Sequence, residues 1–260
     1  MSMRVIANIN LKGGVGKTVT SVNMADILAE KHDKKILLID NDKQGNASKF
    51  FEVFDEEEEC GTAKMLAYEN VQAEEVIKNT NNPNIDIITA NMGVFVANWQ
   101  LTKEDETTDK YIKYKRVLEQ IKDNYDFCII DNPPDIGLNV INALGAADDI
   151  IVPIKLDEWA LDGLDIISEK IAETKAFNEN VNLLGCLITV FRKNDVNVVA
   201  EQWIRERTNY PVFNTKIRYT EKVDESVFSH TGIIEHSRRC GASIDYLKFV
   251  NEYLSKVKEE

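Results

Sequence analysis

The chain has 260 residues, a length at which one α/β domain spanning 1–260 with a full hydrophobic core is ordinary. With 43% hydrophobic and 29% charged residues it reads as globular, and no apolar run approaches the roughly 20 residues of a bilayer span. A net charge of −13 speaks against a polyanion partner, but residues 190–240 hold nine Lys/Arg against seven Asp/Glu, a local +2 that leaves −15 for the rest. A basic face toward nucleic acid therefore stays open. Strand-like sequence begins at once, leaving no room for a signal peptide, so the expected compartment is the cytoplasm. The cysteines (Cys60, Cys128, Cys186, Cys240) are widely spaced; Cys128 and Cys186 sit in apolar runs, where a thiol behaves as a small hydrophobe.

Val5, Ile6, Ala7 and Ile9 form an apolar run long enough for a buried strand, and Val22, Ala25, Leu28 and Ala29 carry helical spacing through 18–30. Between them lies Lys12-Gly13-Gly14-Val15-Gly16-Lys17-Thr18. Strand, glycine loop and helix in that order make a phosphate cradle. The glycines let successive backbone N–H groups point inward, and the helix N-terminus adds its positive dipole end. Lys17 can then reach β- and γ-phosphates, and the Thr18 hydroxyl can ligate Mg²⁺. The general pattern wants glycine where this chain has Leu11, and a lysine follows at position 12. This variant resembles the deviant Walker A loop of the ParA/MinD/nitrogenase-iron-protein class of ATPases.

Lys35 to Asp40 reads as a second buried strand, whose carboxyl end faces the ligand crevice of an α/β sheet. The segment after it, Asp40-Asn41-Asp42-Lys43-Gln44-Gly45-Asn46, resembles the Asp-x-Asp-Pro-Gln-Gly-Asn of ParA-type partition ATPases, with Lys43 in place of proline. The resemblance implies that Asp42 orients the attacking water and that Asp40 supports the magnesium shell. The acidic run 55–59 reads as a solvated loop. Helices are expected at 62–68 and 72–79, a strand at 85–88, and sheet-covering helices near 92–101 and 108–123, with Trp99 in the core.

Phe127 to Asp131 is a hydrophobic strand closing on a carboxylate, as a Walker B element requires for Mg²⁺, here through a water. Asn132-Pro133-Pro134-Asp135 after it resembles the family's Asp-x-Pro-Pro switch, in which prolines fix the chain leaving the strand. A strand at 150–153, a helix at about 158–177 (Leu161, Leu164, Ile167, Ile171) and a strand at 183–190 follow. Arg192-Lys193-Asn194 and Thr189 lie where this class contacts adenine. Pro211 to Arg218 resembles the segment against the base, although the usual Pro-Arg after its isoleucine is Arg218-Tyr219 here. The last helix, about 242–257, puts Ile244, Leu247, Val250, Leu254 and Val257 on one face; its acidic end favours packing on the sheet over lying in a membrane surface.

The alternation of strands and helices predicts a single doubly wound, mainly parallel sheet with helices on both faces. The resemblance implies an ATP-dependent homodimer in which Lys12 crosses to the other copy's phosphates. It places Lys12, Gly13, Gly14, Val15, Gly16, Lys17, Thr18, Val19, Thr189 and Ile217 on the nucleotide. Catalytic roles fall to Lys12, Lys17 and Asp42, and Mg²⁺ falls to Thr18, Asp40 and Asp131. Non-specific DNA contacts are expected from Arg218, Lys222 and Arg238, with a ParB-like centromere-binding partner stimulating hydrolysis and a nucleoid-associated location. The chain starts almost at its first strand, so operator-specific repression through an N-terminal helix-turn-helix is not expected. The alternatives are a MinD-like membrane-associated positioning ATPase and a ParA-like ATPase that positions protein cargo on the nucleoid.

Overall fold

The computed structural model describes residues 3–157 and 163–259. The first apolar run forms β1 (Arg4–Asn8), and α1 (Lys17–His32) follows the glycine loop. Next come β2 (Ile36–Asp40), α2 (Asn46–Phe50), α3 (Gly61–Ala67), β3 (Ile77–Asn79), β4 (Ile85–Ile88), α4 (Gly93–Leu101) and α5 (Lys113–Glu119). After them stand β5 (Phe127–Asp131), α6 (Leu138–Ala146), β6 (Asp149–Lys155), α7 (Leu164–Thr174) and β7 (Asn182–Phe191). The chain closes with α8 (Asp195–Arg207), β8 (Val212–Arg218), α9 (Glu221–Phe228), α10 (Ile233–His236) and α11 (Gly241–Glu259).

The strands form one eight-stranded sheet in the order β3-β4-β2-β5-β1-β6-β7-β8. Among the described residues only the β3–β4 pair is antiparallel. The two-residue period of the strands sorts their side chains onto two faces. Val5, Ala7, Leu37, Ile39, Cys128 and Ile130 join one core beneath α3 to α7, whereas Ile6, Ile36, Leu38 and Ile129 join the other beneath α1 and α11. As predicted, the sheet is doubly wound and mainly parallel. The register sets Asn8 and Asp40 level with Asp131 on either side, so the carboxyl ends of β1, β5 and β2 form one ledge.

Several local expectations need correction. The helix predicted at 72–79 is instead a single 3₁₀ turn, Ala73–Glu75, followed by β3, because Ile77 to Asn79 find backbone partners on β4 and form the edge strand beside it. The helix predicted at 108–123 breaks at Ile112. There Asn142 replaces helical bonding, its Oδ1 accepting from Lys113 N at 2.8 Å and its Nδ2 donating to Lys110 O at 2.9 Å. Trp99 is not in the core: it is 56% exposed on the outer face of α4. The predicted helix at 158–177 is seen as α7; its first part, with Leu161, lies outside the described residues. The final helix packs on the sheet through Tyr246, Phe249, Val250 and Tyr253, a stripe rotated from the expected face, and Ile244 is exposed. Among the described residues no helix is long and apolar enough to cross a membrane.

Candidate active site

Asn10 ties the glycine loop to the ledge. Its Oδ1 accepts from Lys12 N at 2.9 Å and its Nδ2 donates to Pro153 O at 2.8 Å. Gly14 and Gly16 adopt φ of 70° and 83°, left-handed values that a side chain would strain. On the far side the Thr189 hydroxyl lies 2.7 Å from Val15 O and 3.0 Å from Ile154 O, so its one hydrogen is used within the chain and it helps position the loop. Lys17, at the start of α1, arches back and donates from Nζ to Lys12 O at 3.0 Å. Burial lowers the Lys17 pKa, and the carboxylates of Asp131, Asp42 and Asp135 oppose that shift.

The acids beneath Lys17 are less well satisfied. Asp131 Oδ1 accepts from Ser21 Oγ at 3.0 Å. The Thr18 hydroxyl lies near enough to draw the Asp131 pKa down, yet the buried Oδ2 completes no hydrogen bond. Burial, reinforced by the Asp40 charge, pushes Asp131 up to about 7. Asp40 is held by Ser48, whose N and Oγ both donate to Oδ2 at 2.8 Å, and burial raises it to about 6. Asp42 accepts from Gln44 N at 2.9 Å and stands on the cleft wall.

Two neighbouring buried carboxylates, only one of them near a lysine, form a costly arrangement that a hard, oxygen-seeking cation would relieve. Asp131, Asp40 and Thr18 are the residues able to hold it. No three His, Cys, Asp or Glu gather at one point among the described residues, so water and phosphate oxygens would complete such a shell.

A cleft of about 540 Å³ runs from this floor, past Gly13, Gly14 and Gly16, to an apolar end at Ile217, Tyr219, Val223 and Tyr246. Thr189, Ile217 and Val19 line it, as expected for nucleotide contacts. Arg192 and Lys193 do not; they line a separate recess, where Arg192 stacks 3.6 Å from the Tyr219 ring, and Asn194 caps α8. Sequence reasoning missed Ser21, whose partner Asp131 lies far away in the chain, and Ser48, which reaches back eight residues to Asp40. It also missed Val190, a β-branched residue at φ 52° on the cleft wall, for which no sequence signal exists.

The remaining cations have partners or acidic surroundings. Lys12 Nζ meets Asp157 at 2.5 Å, with both side chains about one-third exposed. Arg218 makes a two-pronged pair with Asp245 at 2.7 and 2.8 Å, and Lys222 pairs with Glu225 at 2.7 Å. Arg238 borders a recess shared with Asp26, Glu30 and Glu235.

A glycine loop feeding a helix, flanked by acid-ended parallel strands, defines a P-loop nucleotide-hydrolysing enzyme of the deviant Walker A type. Comparison with known proteins narrows the class. Residues 3–183 match a family described as an AAA domain. Soj, the sporulation initiation inhibitor protein of Bacillus subtilis, is 31% identical over 251 residues, covering 96% of this chain and 97% of its own. The chromosome partitioning protein ParA of Caulobacter vibrioides is 28% identical, covering 99% and 96%. In structure, cobyrinic acid a,c-diamide synthase from Mycobacterium smegmatis with bound ADP and magnesium superposes with a TM-score of 0.84 at 24% identity, covering 98% and 96%, which establishes a shared fold. The chain belongs to the Soj/ParA family of AAA-domain ATPases.

Proposed function

We propose that this protein is a DNA-partition ATPase that binds ATP with Mg²⁺, dimerises on it, holds DNA without sequence preference and lets go on hydrolysis. One observation carries the reading: Lys17 and Asp42 line one end of a cleft of nucleotide size, and the under-bonded Asp131 is buried close to Lys17. The partition role draws on the likeness to ParA and Soj.

The loop N–H groups and Lys17 take the phosphates, and the apolar end beside Tyr219 and Tyr246 takes the base. Asp131 and Asp40, with Thr18, hold the magnesium ion. When bound, the ion neutralises charge on the phosphate oxygens. Asp42 orients water toward the γ-phosphate, and because phosphoryl transfer depends on positioning, its loss slows hydrolysis and spares binding. Lys12 reaches the phosphates of a second copy. To do so it leaves Asp157, a half-solvated pair worth only about 1 kcal/mol at most, which contact with phosphate in a dry interface outweighs.

Arg218, Lys222 and Arg238 supply DNA-phosphate contacts, and a ParB-like centromere-binding protein stimulates turnover. The protein acts in the cytoplasm on the nucleoid. A gel shift on random-sequence DNA at fixed salt tests the reading. A shift with ATP that is lost with ADP is expected; equal shifts with both nucleotides, or none with either, would overturn it.

A further inference from the structure

Behind the Asp42 segment, on the side of the sheet where α5 and α6 pack, the chain buries a run of polar side chains. Asn41 stands between Asp40 and Asp42 and is 0% exposed; Tyr114, Asn132 and Asn139 are 0%, 1% and 3% exposed. The ladder between β2 and β5 ends at this point. Asn41 N still donates to Asp131 O at 2.9 Å, but the Asn41 carbonyl needs a partner from elsewhere. Asn139, in the first turn of α6, supplies it by donating from Nδ2 at 3.0 Å. Asn41 Nδ2 in turn donates to Asn139 O at 3.1 Å and to Asn132 Oδ1 at 2.7 Å.

Backbone carbonyls fix which way each amide points. Asn139 O and Asn41 O can only accept, so the Nδ2 groups of Asn41 and Asn139 must face them. Asn132 Nδ2 is fixed in the same way by Asn8 O at 3.1 Å and Ile130 O at 3.3 Å. Asn41 Oδ1 therefore takes the remaining side, where the Tyr114 hydroxyl donates to it at 2.7 Å. Burial holds the Tyr114 pKa well above its usual value, so that hydrogen stays in place. One group is sacrificed: Asn139 Oδ1 is buried without a hydrogen bond among the described residues. Polar side chains bonded in this way define one geometry, where apolar ones would only fill a volume.

We infer that Asn41 is a positioning residue for hydrolysis: its clamp to Tyr114, Asn132 and Asn139 sets where Asp42 stands against the segment 132–135. The inference rests on the reading that Asp42 orients the attacking water. Asn41 and Asp42 share a peptide unit, so a shift of Asn41 moves the Asp42 carboxylate, and a small misplacement is enough to slow the reaction. Asn132, at the other end of the clamp, opens the segment that carries Pro134 and Asp135, and Lys43 reaches Asp135 at 3.5 Å. The anchor itself is held. Asn142 Oδ1 accepts from Lys113 N at 2.8 Å and so fixes the start of α5, one residue before Tyr114. Asp40 is held separately by Ser48, so both residues before Asp42 are pinned.

The test measures ATP affinity and single-turnover phosphate release on the full chain with Mg²⁺, well below the melting temperature of each variant. Asn41→Leu keeps the volume and removes the amide. It should slow release at least about tenfold while ATP affinity stays within about threefold of native. Tyr114→Phe removes one oxygen and keeps the ring, so it decides the matter if Asn41→Leu does not fold; it should slow release about threefold or more. Both changes are repeated in Asp42→Ala. Because they act through Asp42, each should then lose its effect, with release within about twofold of Asp42→Ala alone. Equal slowing in both backgrounds would reduce the cluster to packing and overturn the inference, and so would native-rate release from Tyr114→Phe. With Asp42→Ala slow, either result leaves Asp42 its role. A native rate in Asp42→Ala would remove the water-orienting reading itself, and the inference with it.

Discussion

The floor of the cleft and its basic rim handle charge in opposite ways. At the floor, Asp40 and Asp131 are fully buried, only Asp131 feels the Lys17 charge, and one Asp131 oxygen is left without a hydrogen bond. Along the rim, Arg218 and Lys222 each hold a carboxylate of their own chain. The floor is therefore incomplete until a ligand arrives, whereas the rim must release internal partners before it can hold a polyanion. On the proposed function, that difference would let a protein with a net charge of −13 take up ATP readily and hold DNA only conditionally.

The largest expected effect comes from breaking the floor. Asp131→Asn removes a buried charge that lacks full hydrogen bonding, so the unliganded protein should melt at a higher temperature. The same change should cost about a hundredfold in magnesium-dependent ATP affinity, read by calorimetry. A lower unliganded melting temperature would mean that the carboxylate is already satisfied.

A smaller effect sharpens the rim. Asp26 is pushed up to about 6 by burial, with Glu30 and Glu235 adding to it, beside Arg238. Its folded pKa lies above the unfolded value, so the folded state binds the extra proton and its stability falls as pH rises from about 4 to about 6. Asp26→Asn should therefore stabilise the protein by about 3 kcal/mol at pH 8 and by much less at pH 4, in denaturant titrations. A constant difference across that range would remove the buried charge as the cause. The smallest effect is expected from Arg218→Ala with Lys222→Ala. Because both cations are paired, DNA affinity should drop only about threefold to tenfold, with the salt slope reduced by about two contacts at most. A loss of all DNA binding would make them the principal contacts.

The phosphate end of the site was legible in the sequence because it is local. A strand, two left-handed glycines and a helix start lie within 15 residues, and Asp40 and Asp131 each close an apolar run. What makes those acids a pair is the register Asp40↔Asp131, which no local pattern encodes. Asp157 beside Lys12 and the pairing of the edge strand β3 were hidden because they too depend on contacts outside the local pattern. Trp99 failed differently. Its spacing announced an apolar face, and spacing alone does not say whether that face turns toward the core.

The central claim is that Asp42 works on the attacking water and not on the nucleotide. Measuring ATP affinity and phosphate release side by side for the native chain and Asp42→Ala tests it directly. The account predicts hydrolysis by the native chain, and in the variant an affinity within about threefold of native with release slowed about a hundredfold. Unchanged turnover in the variant, or a collapse of ATP binding, would contradict it.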